Sequence, residues 1–402
     1  MNRTSHLIVC LIAGFCFAST SALAQEGQDD ELTSGITQPS PAAYVYVSDS
    51  HKVYSFSAAT SGKLKPITGS PFEANGVQFM AVNGKYLFGG STDASGPTVE
   101  TFTIGTNGAL KLVKTYLAAN SAPGYPGGPF EGPLEVDHSG LVLYLNLFDG
   151  SNFVYRSLGV NHSTGKLTEV GDELVSSIEE QTNWLAFLSN NKFAYSYLGD
   201  CNQPGELLGF ERKSDGALTS ISLPNTIPAT PNNSTYYCPL FIAADPTNHL
   251  AVLLWEANAE ELVGNPVLAT FTAGADGELT TTSTYENMLQ LNTPGWDGII
   301  PWMRMSPSGK LLAVGGTGGL QILKFNGADP ITPYRTLLKS ASTFPTQMYW
   351  DNSNHLYVIG NDDSTFTTGK LWVYTITPTS VSEAPGSPYS IPGAATLIVQ
   401  PK

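Results

Sequence analysis

The chain has 402 residues, of which only 13% are charged, and a formal net charge of −15. Such an acid excess argues against nucleic acid or anionic lipid as a partner. Forty glycines and 27 prolines beside 41% hydrophobic residues indicate a turn-rich β-type chain rather than a helical or disordered one.

In chain order, Arg3 precedes the apolar stretch "LIVCLIAGFCFA", and "ALA" follows before Gln25. A positive start, a short apolar run and an A-x-A site predict a secretory signal over 1–24, cleaved on export. The run is too short to span a bilayer comfortably, so the mature protein is expected to be periplasmic or secreted, with no membrane anchor. Residues 25–41, "QEGQDDELTSGITQPSP", are polar and acidic and predict a flexible leader. Cys10 and Cys16 leave with the signal. Cys201 and Cys238 remain, and an even pair in an oxidising compartment predicts a disulfide.

Residues 42–402 read as one domain built on a repeat. "AYVYVSDSHKVYSFSAATSGKLKPI" (Ala43–Ile67) comes first. Related units start at Val77 ("VQFMAVNGKYLFGG"), Pro133 ("PLEVDHSGLVLYLNL"), Trp184 ("WLAFLSNNKFAYSYL"), Phe241 ("FIAADPTNHLAVLLW"), Trp302 ("WMRMSPSGKLLAVGG") and Thr346 ("TQMYWDNSNHLYVIG"). Each holds four short alternating segments separated by turn dipeptides, which predicts four antiparallel strands, A to D. Radial repetition of such sheets is an all-β propeller. The C-terminal "AATLIVQPK" is a strand A with no B to follow it, while 43–67 supplies B, C and D without an A. Joined, they complete a seventh blade and remove both sheet edges. A closed ring without free edges predicts a monomer.

The stretches "YVYVSDS…VYSFSAATSGKL" and "MSPSGKLLAVGG…LQILKF" resemble the lactonase-type seven-bladed propellers, the 6-phosphogluconolactonases and carboxymuconate-lactonising relatives, over nearly all of the mature chain. The resemblance implies lactone hydrolysis. It also implies an inner-strand His five residues ahead of the Pro of a P-x-G turn, with acids and arginines nearby. Here Trp302 stands five before Pro307 and Phe241 five before Pro246. In "PLEVDHSG", His138 occupies the Pro position and Pro133 the His position. No catalytic residue carries over.

In a four-stranded meander the A–B and C–D turns share one face, and the B–C and D–A connections share the other. The first set is minimal ("NGK", "SNNK", "TNGAL", "SDGAL"), built for geometry. The second includes Leu117–Gly132, Gly199–Glu206, Leu223–Pro239, Trp255–Pro266 and Glu286–Pro301, and long loops on a rigid scaffold carry binding residues. These five contain Glu131, Asp200, Glu206, Glu256, Glu260, Glu261, Glu286 and Asp297 and no Lys or Arg. Such a face repels a phosphorylated or multiply carboxylated lactone, which would call for Arg or Lys. It suits a small neutral ligand, a cation or a basic protein partner.

Ligand-binding candidates are therefore Glu131, Asp200, Glu256 and Asp297, with Trp255, Trp296 and Trp302 as aromatic platforms for a carbohydrate. Glu135, Asp137 and Arg304 fall on inner strands and are expected at the central channel, Glu135 and Arg304 as a catalytic acid–base and orienting pair. "GNDDSTFTTG" and "GDCNQPGE" could collect Ca²⁺ through oxygen ligands, though neither has EF-hand spacing and no resident cofactor is predicted. HExxH, G-x-S-x-G and Walker A patterns are all missing. Two functions stay open: a hydrolase of an uncharged lactone or sugar derivative, and a non-catalytic module that binds through its acidic loop face.

Overall fold

The computed structural model describes residues 40–93, 96–118, 133–148, 152–176, 184–198, 201, 203–224, 227–258, 261–291, 302–316, 319–338, 344–361 and 368–402. Every regular element among them is a strand, and the strands form seven antiparallel sheets. The inner strands of blades 1 to 7 are Thr396–Pro401, Phe79–Val82, Glu135–Val136, Ala186–Phe187, Tyr236–Ala244, Trp302–Met305 and Phe344–Trp350. Blades 1, 5 and 7 carry a fifth short strand (Phe72–Val77, Leu289–Gln290, Tyr389–Ser390) beside strand C, beyond the four that the repeat predicts.

The ring closes as the two end fragments require. Thr396–Pro401 pairs with Ala43–Ser48, placing Leu397 opposite Val47 and Gln400 opposite Tyr44. Gln347 of blade 7 fastens this strand from the other side, its Oε1 accepting from Leu397 N (2.7 Å) and Thr396 Oγ1 (3.0 Å). Side chains that point away from the sheet on both faces are mostly apolar, because each face meets a neighbouring blade. The strand Ala43–Ser48 is buried at every position.

Two local devices explain the repeated turn sequences. At each A–B turn a short polar residue accepts backbone N–H groups, replacing the ladder bonds lost at the bend. Asp137 takes Leu141 N and Val142 N, Asp245 takes Thr247 N and His249 N, and Asp351 takes Ser353 N and His355 N. Asn83 and Ser306 do the same in blades 2 and 6.

At the C–D turns a Tyr from strand B of the preceding blade donates to a turn carbonyl. Tyr46 reaches Gly108 O (3.1 Å), Tyr144 reaches Gly216 O (2.8 Å) and Tyr195 reaches Gly277 O (2.8 Å). Gly216 has φ +98°, and a Cβ there would lie 2.3 Å from Val142 Cγ2. Only glycine allows both the backbone turn and the close approach of the preceding blade.

Two expectations about connections change. Cys238 lies inside the inner strand Tyr236–Ala244 of blade 5, not in the loop before it. It is bonded to Cys201 with the Cα atoms 5.3 Å apart, tying the B–C connection of blade 4 to blade 5. Trp255–Pro266 is mostly strand rather than long loop. His249–Ala257 and Leu262–Ala273 continue as a ladder to the Ala257–Leu262 pair, because the apolar alternation runs on through this segment.

Candidate functional site

The inner strands of blades 3 to 6 surround a cavity of about 210 Å³ in the central channel. It exists because the inner strand of blade 5 ends in Ala243 and Ala244 and that of blade 4 begins at Ala186. These small side chains leave space where blade 6 supplies an arginine and blade 3 a glutamate.

Arg304 lies against two aromatic rings. Its guanidinium carbon lies 4.2 Å from the Trp184 ring centre and 4.4 Å from that of Tyr349. Nη2 donates to the Tyr349 hydroxyl at 2.5 Å, and the Arg304 carbonyl accepts from Trp350 Nε1 at 3.2 Å. A cation between aromatic faces gains from both ring quadrupoles without losing its in-plane donors. Its Nε is buried without a hydrogen-bond partner, a cost that packing alone does not explain.

Glu135 faces this arginine, Oε1 to Nη2 being 3.9 Å, with 24% of the side-chain surface open to the channel. That separation is too long for a hydrogen bond. Burial pushes the Glu135 carboxyl up to about 7, against the opposing pull of Arg304. The same burial, with the arginine again opposing, raises Tyr349 and keeps it a phenol.

The sequence expectations divide here. Glu135 and Arg304 meet at the channel as expected of a candidate pair. Asp137, expected beside them, is instead a wholly buried turn residue. It pairs with Arg212 at 2.6 Å and accepts from Ser139 Oγ and Asn191 Nδ2, because the alternation of the strand breaks at the A–B turn.

Trp302 lies in an aromatic cluster with Trp184 (4.7 Å, edge-on) and Phe241 (5.9 Å) at the start of the inner strands. Trp255 is 4% exposed inside blade 5, so its ring offers no open platform for a sugar. Glu256 accepts from Thr235 Oγ1 at 2.6 Å. Glu131, Asp200, Trp296 and Asp297 lie outside the described residues, as do Asp362 and Asp363 of one Ca²⁺ candidate segment. Among the described residues no group of three or more His, Cys, Asp or Glu converges on a metal position.

The cavity also differs in place from the expected loop-face site. Below the first chamber lies a second, of about 410 Å³, bounded by A–B turn residues such as Ser189, Pro246 and Pro307 and sharing His138, Phe187 and Arg304 with the first. Sequence reasoning missed His138, Trp184 and Tyr349. His138 is an exposed turn residue whose Nε2 is 3.3 Å from Phe187 O. Tyr349 could have been placed from alternation, since it lies two residues after Gln347 on the same inner strand. Nothing in the sequence announces that Trp184 stacks on an arginine two blades away.

No protein-family model matches the chain, and no curated protein matches it in sequence. Solved structures do. A Bacteroides fragilis protein provisionally named a 6-phosphogluconolactonase is 14% identical, with TM-score 0.62 over 90% of this chain and 99% of that one. The periplasmic gluconolactonase of Pseudomonas aeruginosa is 12% identical, with TM-score 0.60 over 89% of this chain and 99% of that one. A Lactobacillus plantarum protein is 12% identical, with TM-score 0.61 over the same shares. The chain therefore has the fold of the lactonase-type seven-bladed propellers, and the fold is what identities this low establish.

Proposed function

We propose that the protein is an exported hydrolase of an uncharged lactone, with Glu135 and Arg304 as its working pair. The observation that carries this reading is the pair itself: a carboxyl and a guanidinium side by side on the wall of one cavity, close enough to act on one carbonyl yet too far apart to satisfy each other. In its ionised form Glu135 takes a proton from a water, whose oxygen attacks the lactone carbonyl. Arg304 stabilises the resulting oxyanion. The ring C–O bond then breaks, and its oxygen takes the proton back from Glu135, giving the open hydroxy acid. A base poised near neutrality is suited to both transfers.

Arg304 is the sole Lys or Arg among the described residues that line either chamber, and Glu135 already offsets part of its charge. A phosphorylated or multiply carboxylated lactone would meet too little positive charge here. The predicted signal at 1–24, the Cys201–Cys238 disulfide and the likeness to a periplasmic gluconolactonase support export.

The test is hydrolysis of a panel of neutral lactones by purified protein lacking residues 1–24, beside Glu135→Gln and Arg304→Lys. Turnover should rise with pH through about 7 as Glu135 loses its proton. Arg304→Lys, which loses the stacked planar fork, should cost about 10²-fold in kcat/KM. Turnover indifferent to both substitutions would overturn the channel site. Specific binding without turnover would instead favour the non-catalytic module.

A further inference from the structure

We infer that the lactone bears an apolar substituent, an alkyl or aryl chain rather than a ring of hydroxyls, seated in the chamber on the short-turn face. This deepens the lactonase reading and rests on it. The second chamber adjoins the Glu135–Arg304 cavity, with Phe187, Ala244 and Met305 lining both, and its outer wall adds Pro246, Pro307 and Trp350.

The polar groups on that wall are already engaged. Ser189 Oγ donates to Thr247 O (3.0 Å), and Ser306 Oγ accepts from Leu311 N (3.0 Å). The Asp245 carboxylate holds Thr247 N, Thr247 Oγ1, His249 N and His249 Nδ1. A polyhydroxylated ring placed there would bury more hydroxyls than these engaged groups can partner, which is costly. An apolar chain would gain from the same surface. His138, at the rim, leaves room for one polar group next to the lactone ring. The chain therefore enters from the A–B turn side.

The experiment measures binding and turnover of γ-butyrolactones with unbranched 4-alkyl chains of increasing length, beside glucono-δ-lactone. Affinity, read by calorimetry on Glu135→Gln so that turnover is suppressed, should rise roughly fourfold per methylene over the first few carbons. Ala244→Phe, which fills the chamber, should flatten that slope. Ser189→Trp, on the exposed turn, should flatten it too and serves if the first variant does not fold. Glucono-δ-lactone binding as well as the alkyl series, or a slope unchanged in the folded variants, overturns the inference. Absence of any chain-length-dependent binding overturns it as well. Chain-dependent binding without turnover in the unaltered protein upholds the chamber while sinking the lactonase reading.

Discussion

Glu135 and Asp137 sit two residues apart at the inner end of one blade, and their surroundings could hardly differ more. Asp137 is fully enclosed and saturated: two backbone amides, a serine hydroxyl, an asparagine amide and Arg212 at 2.6 Å. Glu135 has Arg304 at 3.9 Å as its nearest charged partner among the described residues. A carboxylate whose acceptor sites are filled holds a turn together and has nothing left for a substrate. One that is desolvated and under-bonded has a displaced proton affinity and open valence, the condition for proton transfer. The channel and the turn framework are thus two electrostatic regimes a few ångströms apart.

The largest effect that would sharpen this contrast is on rate. Glu135→Gln should lower lactone turnover by about 10²- to 10⁴-fold, while thermal unfolding shows no loss of stability. Asp137→Ala should do the reverse. Stripping its partner from Arg212 should cost about 3–5 kcal/mol of stability, read from denaturant midpoints, with kcat of the folded fraction nearly intact. A catalytic collapse in Asp137→Ala at full stability would break the distinction.

A third expectation concerns pH. The Glu135 carboxyl is raised to about 7 from an ordinary 4.5, so between these values the folded protein binds more protons than the unfolded chain. Stability should therefore fall as pH rises across that window, by at most about 3 kcal/mol from this group, and level off above pH 7. Glu135→Gln should lose this component, so comparing midpoints of the two proteins at pH 5 and pH 8 isolates it.

How much of this could be read in the sequence follows the same divide. The propeller was legible because turns and alternation are local: "NGK", "SDGAL" and "DPTNH" each encode a bend whose partners lie within a few residues. Closure was legible because two incomplete fragments complement each other. The disulfide followed from the cysteine count and the expectation of export. The pairing of Glu135 with Arg304 was reachable because inner strands converge on one axis. The Trp184–Arg304–Tyr349 stack was not, since it joins blades 4, 6 and 7 through side-chain directions that no local pattern fixes. Nor was the chamber, which arises from small residues in two separate repeats. Asp137 was misplaced for a related reason: strand alternation was carried one step too far, into a turn that the residue itself caps.

The smallest effect tests whether frame and channel are separable. Tyr195 donates to Gly277 O at 2.8 Å across the boundary between blades 4 and 5, and both ends are buried. Tyr195→Phe keeps the ring and removes one hydrogen bond, leaving the Gly277 carbonyl short of a donor. The expected loss is about 1 kcal/mol, a drop in Tm of about 1–2 °C for a domain this large. Lactone kcat/KM should not move, because the bond lies in the turn framework and the neighbouring blade boundaries keep their own tyrosines. A rate loss well beyond the stability loss would mean that this boundary sets the position of Trp184, and through it Arg304. The propeller would then be one coupled body rather than a rigid frame around an independent site.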